Sequence, residues 1–146
     1  MFEFHGWAVI RVPENDDETL SQSSERQVRA IKDVRSKLNE IHDEFSTFDV
    51  GRTSNGLVVV FAHGLRNHRL EAVIDLFRWI AEKLPDSYGV LHVLDDEDFK
   101  RGADFTNEFR VWRLALGELR EVADPFLSPF IPTAERPYDG WKGDLA

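Results

Sequence analysis

Phe2-Glu3-Phe4-His5-Gly6-Trp7-Ala8-Val9-Ile10-Arg11-Val12 decides the fold. Phe2, Phe4, Ala8, Ile10 and Val12 fall on one side, and Glu3, His5, Trp7, Val9 and Arg11 on the other. The alternation predicts a strand with one firmly buried face, ended by Pro13. An acidic loop over residues 14–18 leads into a helical pattern, with Val28, Ile31, Val34, Leu38, Ile41 and Phe45 spaced by three and four and Arg26, Arg29, Lys37, Glu40 and Glu44 opposite. A strand is expected around Phe48, then a turn cluster containing Asn55-Gly56. Leu57-Val58-Val59-Val60-Phe61-Ala62 is unbroken, apolar and β-branched, and reads as a central strand covered on both sides. Leu70, Val73, Ile74, Phe77, Ile80, Ala81 and Leu84 predict a second amphipathic helix, stopped by Pro85. Residues 88–94 read as a further strand, and residues 107–116 and 118–122 as a hairpin about Gly117.

Strand, helix, strands, helix, strand and hairpin in that order predict an α+β fold: a mainly antiparallel sheet with two helices on one face. A ferredoxin-like order with an added C-terminal hairpin is one solution. A chain of 146 residues has room for a single domain. Its end changes character, because Pro125, Pro129, Pro132 and Pro137 stand beside Phe126, Phe130, Tyr138 and Trp141. Residues 124–146 are therefore expected to form an extended tail packed on the domain. By alternation His5, Trp7, Tyr88, His92 and Trp112 share the sheet face that the helices leave, where either the aromatic tail buries them or a partner meets them.

With 42% hydrophobic residues, eleven Phe and four Trp, the chain is too apolar to be disordered. Zero Cys excludes a disulfide framework, a thiolate metal site and a cysteine nucleophile. A net charge of −9 argues against nucleic-acid binding and for a basic partner. Met1-Phe2-Glu3-Phe4-His5 has no basic n-region, and no window approaches the roughly 20 apolar residues of a membrane span, so a soluble cytoplasmic protein without membrane contact is expected.

The residues specify no reaction. There is no Gly-x-Ser-x-Gly elbow, no Ser-x-x-Lys and no Gly-rich phosphate loop. A small metal-dependent hydrolase could be built on His63, His68, His92 and the cluster Asp95-Asp96-Glu97-Asp98, although no spacing places two imidazoles on one helix face. No cofactor is implied. Gly64-Leu65-Arg66-Asn67-His68-Arg69 either binds an anion at a helix N-terminus or is structural, with Asn67 capping the helix and His68 or an Arg meeting the acidic cluster.

Several runs together resemble the bacterial polymorphic-toxin immunity proteins of the family immunity protein seven. They are Phe4-His5-Gly6-Trp7 with Ile10-Arg11, Gly64-Leu65-Arg66-Asn67-His68-Arg69, and Trp79-Ile80-Ala81-Glu82 through Ser87-Tyr88-Gly89 to Asp95-Asp96-Glu97-Asp98. Asn107-Glu108-Phe109-Arg110-Val111-Trp112 and Asp124-Pro125-Phe126-Leu127-Ser128-Pro129 with Ile131-Pro132 complete the likeness. It spans residues 2–139 and leaves out residues 14–18, the body of the first helix and residues 140–146. The resemblance implies a small α+β protein, not an enzyme, that binds and neutralises the C-terminal domain of a cognate toxin. It assigns no contact residue and leaves stoichiometry and oligomeric state open. Composition adds that Asp95, Asp96, Glu97 and Asp98 with the aromatic anchors Trp7 and Trp112 are the candidate partner-binding residues, and Arg66, Asn67 and His68 the structural ones.

Overall fold

The computed structural model describes residues 1–99 and 101–134. The period-two segment at the start becomes β1 (Phe2–Val9), which lies inside the sheet with a neighbour on each side. The other elements follow as α1 (Leu20–Ile41), β2 (Ser46–Arg52), β3 (Val58–Arg66), α2 (Glu71–Lys83), β4 (Tyr88–Asp95), β5 (Arg110–Ala115), β6 (Glu118–Ala123) and the single turn α3 (Ile131–Ala134). One six-stranded sheet runs β2-β3-β1-β4-β5-β6, and every neighbouring pair is antiparallel. Its first four strands, with α1 and α2, form the ferredoxin-like order, and the β5–β6 hairpin extends the sheet beyond β4.

The alternation of β1 sorts the sheet into two faces. Phe2, Phe4 and Ala8 are fully buried against the helices, as are Val60 and Ala62 of β3 and Leu91 of β4. Onto this face α1 brings Ala30, Val34 and Leu38, and α2 brings Val73, Ile74, Phe77 and Ile80. The helix α1 starts late because Thr19 caps it: the Thr19 hydroxyl accepts from the Gln22 amide at 3.2 Å while Gln22 reaches back to the Thr19 amide at 3.0 Å. Two residues of the expected α1 stripe fall elsewhere. Val28 is about a third of a turn away from the buried stripe and exposed, and Phe45 follows the helix end and is exposed.

Three further expectations change. The strand at Leu57 is covered on one side only, because Phe61 points away from the helices. It also runs on through Gly64 to Arg66, so half of the run expected to link strand and helix belongs to β3. Trp112 pairs in register with Leu91 and packs against the helix-side core, on the face opposite Trp7. The pairing with β4 accounts for this, since Leu91 and Val93 on the helix side meet Trp112 and Arg110. Leu116 and Gly117 both have positive φ, 55° and 73°, and form the two-residue turn that sets the register of β6 on β5. At the outer edge of β2 the Asp49 carboxylate accepts from the Val50 amide at 2.7 Å.

Residues between β4 and β5 are clamped by charge. Arg101 Nη2 donates to Glu121 Oε1 at 2.7 Å and to Asp98 Oδ2 at 2.5 Å, and Arg110 Nε donates to Glu121 Oε1 at 3.1 Å. Both guanidiniums lie over the Phe105 ring, at 5.0 and 4.2 Å from its centroid. Burial pushes the Glu121 carboxyl up, but the two arginines outweigh it and hold the group below the usual range.

Two outcomes follow. A Cβ at Gly89 would lie 2.1 Å from the Trp7 carbonyl oxygen and 2.7 Å from Ala8 Cα, both backbone, so Gly89→Ala must push β4 from β1. A cost of about 1–3 kcal/mol is expected, a fall in Tm of roughly 3–10 °C by calorimetry; an unchanged Tm would contradict the close strand approach. Glu121→Gln should cost about 1–3 kcal/mol near neutral pH. Because the folded carboxyl titrates below its unfolded value, this stabilisation is complete above about pH 4.5 and is lost as pH falls through the folded value. The Tm gap between wild type and variant should therefore close in acid, and a gap independent of pH would rule the clamp out.

Candidate functional site

Four adjacent carboxylates repel one another, so their retention calls for cations from elsewhere. The fold supplies a polar or charged partner for each. Asp95 Oδ2 accepts from Arg69 Nη1 at 3.2 Å, and Asp96 Oδ1 meets the Met1 ammonium at 2.5 Å. Glu97 Oε1 meets His68 Nδ1 at 2.8 Å, while Asp98 takes Arg101 in a two-pronged pair at 3.0 and 2.5 Å. Exposure divides the group. Asp95 and Asp98 are buried, at 7% and 9%, whereas the side chains of Asp96 and Glu97 are 43% and 55% exposed.

The basic run before α2 is spent on the same task. Arg66 pairs with Asp43, His68 with Glu97, and Arg69 with both Asp95 and Glu71. Burial opposes the charge on Arg69, and its two carboxylate partners override that and raise its pKa. Asn67 does not cap the helix: the N-cap position is Leu70, with no side-chain cap. The link is held by side-chain contacts to distant acids, and the helix starts three residues later than an Asn67 cap requires.

The second surface is the sheet face away from the helices. The register draws two rows across all six strands. One reads Asp49, Phe61, Trp7, Val90, Arg113 and Arg120; the other reads Thr47, His63, His5, His92, Val111 and Val122. Trp7, Phe61 and Tyr88 remain 41%, 41% and 42% exposed, with Tyr88 edge-on to Trp7 at 6.3 Å. Within the tail, Asp124 is buried and accepts from the amides of Phe126 and Ser128 at 3.1 and 2.7 Å, but Phe126 and Leu127 project into solvent. Tyr138 and Trp141, expected to cover this face, lie outside the described residues.

The histidines do not converge as a hydrolase would need. His63 Nδ1 lies 2.9 Å from His5 Nδ1, and burial together with His5 holds its pKa below the ordinary value. His92 stands edge-on to Phe109 at 6.2 Å, and His68 is taken by Glu97 beyond the strand ends. Among the described residues no group of three or more His, Asp or Glu side chains could hold a metal ion. The expected site on His63, His68, His92 and the acidic cluster is therefore not assembled.

Sequence reading passed over Phe61, Arg113 and Arg120. Continuing the period of two from Val59 through Gly64 would have placed Phe61, His63 and Leu65 together on an uncovered face. No described helix is long and apolar enough to cross a membrane. No curated protein and no solved structure matches the chain. The family model for Immunity protein 7 matches residues 1–136, and with nearly the whole of its 146 residues covered, the chain belongs to the Immunity protein 7 family.

Proposed function

We propose that this protein, as an immunity protein, neutralises a cognate toxin by binding the toxin's C-terminal domain, without catalysis of its own. The observation that carries this reading is the family match over residues 1–136. The net charge of −9 favours a basic toxin, such as a nuclease domain, since opposite charge speeds encounter. We assign the contact to the acidic turn, with Asp96 and Glu97 as the members that reach a partner. Asp95 and Asp98 fix the turn through Arg69 and Arg101. Trp7 stands on a separate surface, the open sheet face, and Trp112 packs on the helix side. The chain is expected to act as one domain in the cytoplasm, with the tail part of it.

The test mixes the purified protein with the toxin domain encoded beside it and follows toxin activity and binding kinetics. Inhibition at equimolar protein is expected, and its absence would remove the reading. Because Asp96 and Glu97 are exposed, Asp96→Asn with Glu97→Gln should slow association about tenfold at low salt and change dissociation little. The difference should shrink as the Debye length falls to roughly 8 Å near physiological salt. Unchanged association with a native circular dichroism spectrum would release the acidic turn from this role.

A further inference from the structure

The row Asp49, Phe61, Trp7, Val90, Arg113, Arg120 carries its charges at opposite ends. At one end Arg113 and Arg120 stand directly opposite each other in register, which is unfavourable for like charges. Glu118 answers Arg120 at 3.1 Å, whereas Arg113, an exposed side chain, has no ion-pair partner among the described residues. At the other end stands a carboxylate, Asp49. The protomer thus presents an aromatic centre between an acid and a surplus of guanidinium that it does not neutralise itself.

We propose that this face pairs with the same face of a second copy, about a two-fold axis parallel to the strands and between β1 and β4. That operation reverses the row. Asp49 then faces Arg120 of the second copy, Phe61 faces its Arg113, and Trp7 faces its Val90. Each contact occurs twice, as a self-complementary interface requires. A guanidinium over an aromatic ring is favourable, and Asp49 relieves the Arg113/Arg120 crowding. In the row beyond Trp7, Val9 faces Tyr88 of the second copy, while His5 and His92 lie against Phe109 of their own chain. Phe109, Leu94 and Val111 are buried within the protomer at one end of this face, so six strands at about 4.8 Å spacing by roughly 12 Å along them give a footprint on the order of 350 Å2. This is below the roughly 800 Å2 per partner of a standard interface and places the contact at the small end of specific interfaces. The acidic turn lies beyond the strand ends and stays free in both copies, so the inference is independent of toxin binding. A nucleic acid fits the face poorly, since two arginines work against a net charge of −9.

Analytical ultracentrifugation of the full chain at micromolar concentration tests it. The wild type should sediment as a dimer, twice the 16.9 kDa chain mass. Asp49→Arg and Arg120→Asp should each weaken the dimer by about tenfold or more, because each puts like charges face to face twice. The double variant Asp49→Arg with Arg120→Asp should restore it, since every new Arg then meets a new Asp, and circular dichroism confirms the fold of all three. A monomeric wild type, a dimer indifferent to the single changes, or a double variant no better than the singles overturns the proposal. So does a monomer that dimerises only after removal of residues 135–146, which would make the chain's own end the occupant of this face. Toxin inhibition measured on the same variants is expected to persist.

Discussion

Everything in this molecule is referred to the alternation of β1, a strand with neighbours on both sides. Once Phe2, Phe4 and Ala8 are turned to the helices, antiparallel pairing fixes the facing of β3 and β4, and through them of β2, β5 and β6. A slip of one residue would carry two phenylalanines into water and bring Glu3, His5 and Trp7 under the helices. Close approach makes the arrangement rigid: at Gly6 a Cβ would stand 2.7 Å from Leu91, and at Gly64 one would stand 2.5 Å from the Phe4 ring. Glycine here is the condition for three central strands and two helices to share one layer of side chains.

What could be read from residues alone was whatever depended on local period. β1, α2, β4 and the β5–β6 hairpin each carry their own pattern, and their order gives the α+β class with the ferredoxin-like arrangement as one solution. The failures lie where a decision is made at a distance. Val58 to Ala62 is apolar throughout, so the run is equally compatible with one covered face or two, and only the count of helices decides. Trp112 changed faces because its parity depends on the register of β5 against β4, which the long connection between them sets, not on anything within β5. Asn67 looked like a cap by composition, yet the chain around it answers to Asp43, Glu97 and Asp95 on other elements.

The acidic turn illustrates the same separation between composition and surface. Read as a string, residues 95–98 are four negative charges. In the fold they are a junction where the amino terminus, the link before α2 and the clamp from Arg101 are drawn together, and only two of the four carboxylates keep substantial contact with water. Formal charge therefore overstates the local field of this turn, and a partner would meet two exposed acids beside Met1 and His68.

The outer edge of β2 bears on how such a sheet behaves when crowded. An unpaired strand edge offers amides to any passing strand, the route to ribbons that grow without limit. Here the Asp49 side chain folds back onto the amide of Val50 and occupies that donor from within its own chain. At the other end of the sheet, β6 shows the Glu118–Arg120 pair rather than an apolar edge. With charge at both margins, edge-to-edge pairing is disfavoured relative to the face-to-face pairing proposed above, where a rotation closes on itself after two copies. The sheet is thereby inclined to finite assemblies instead of fibres.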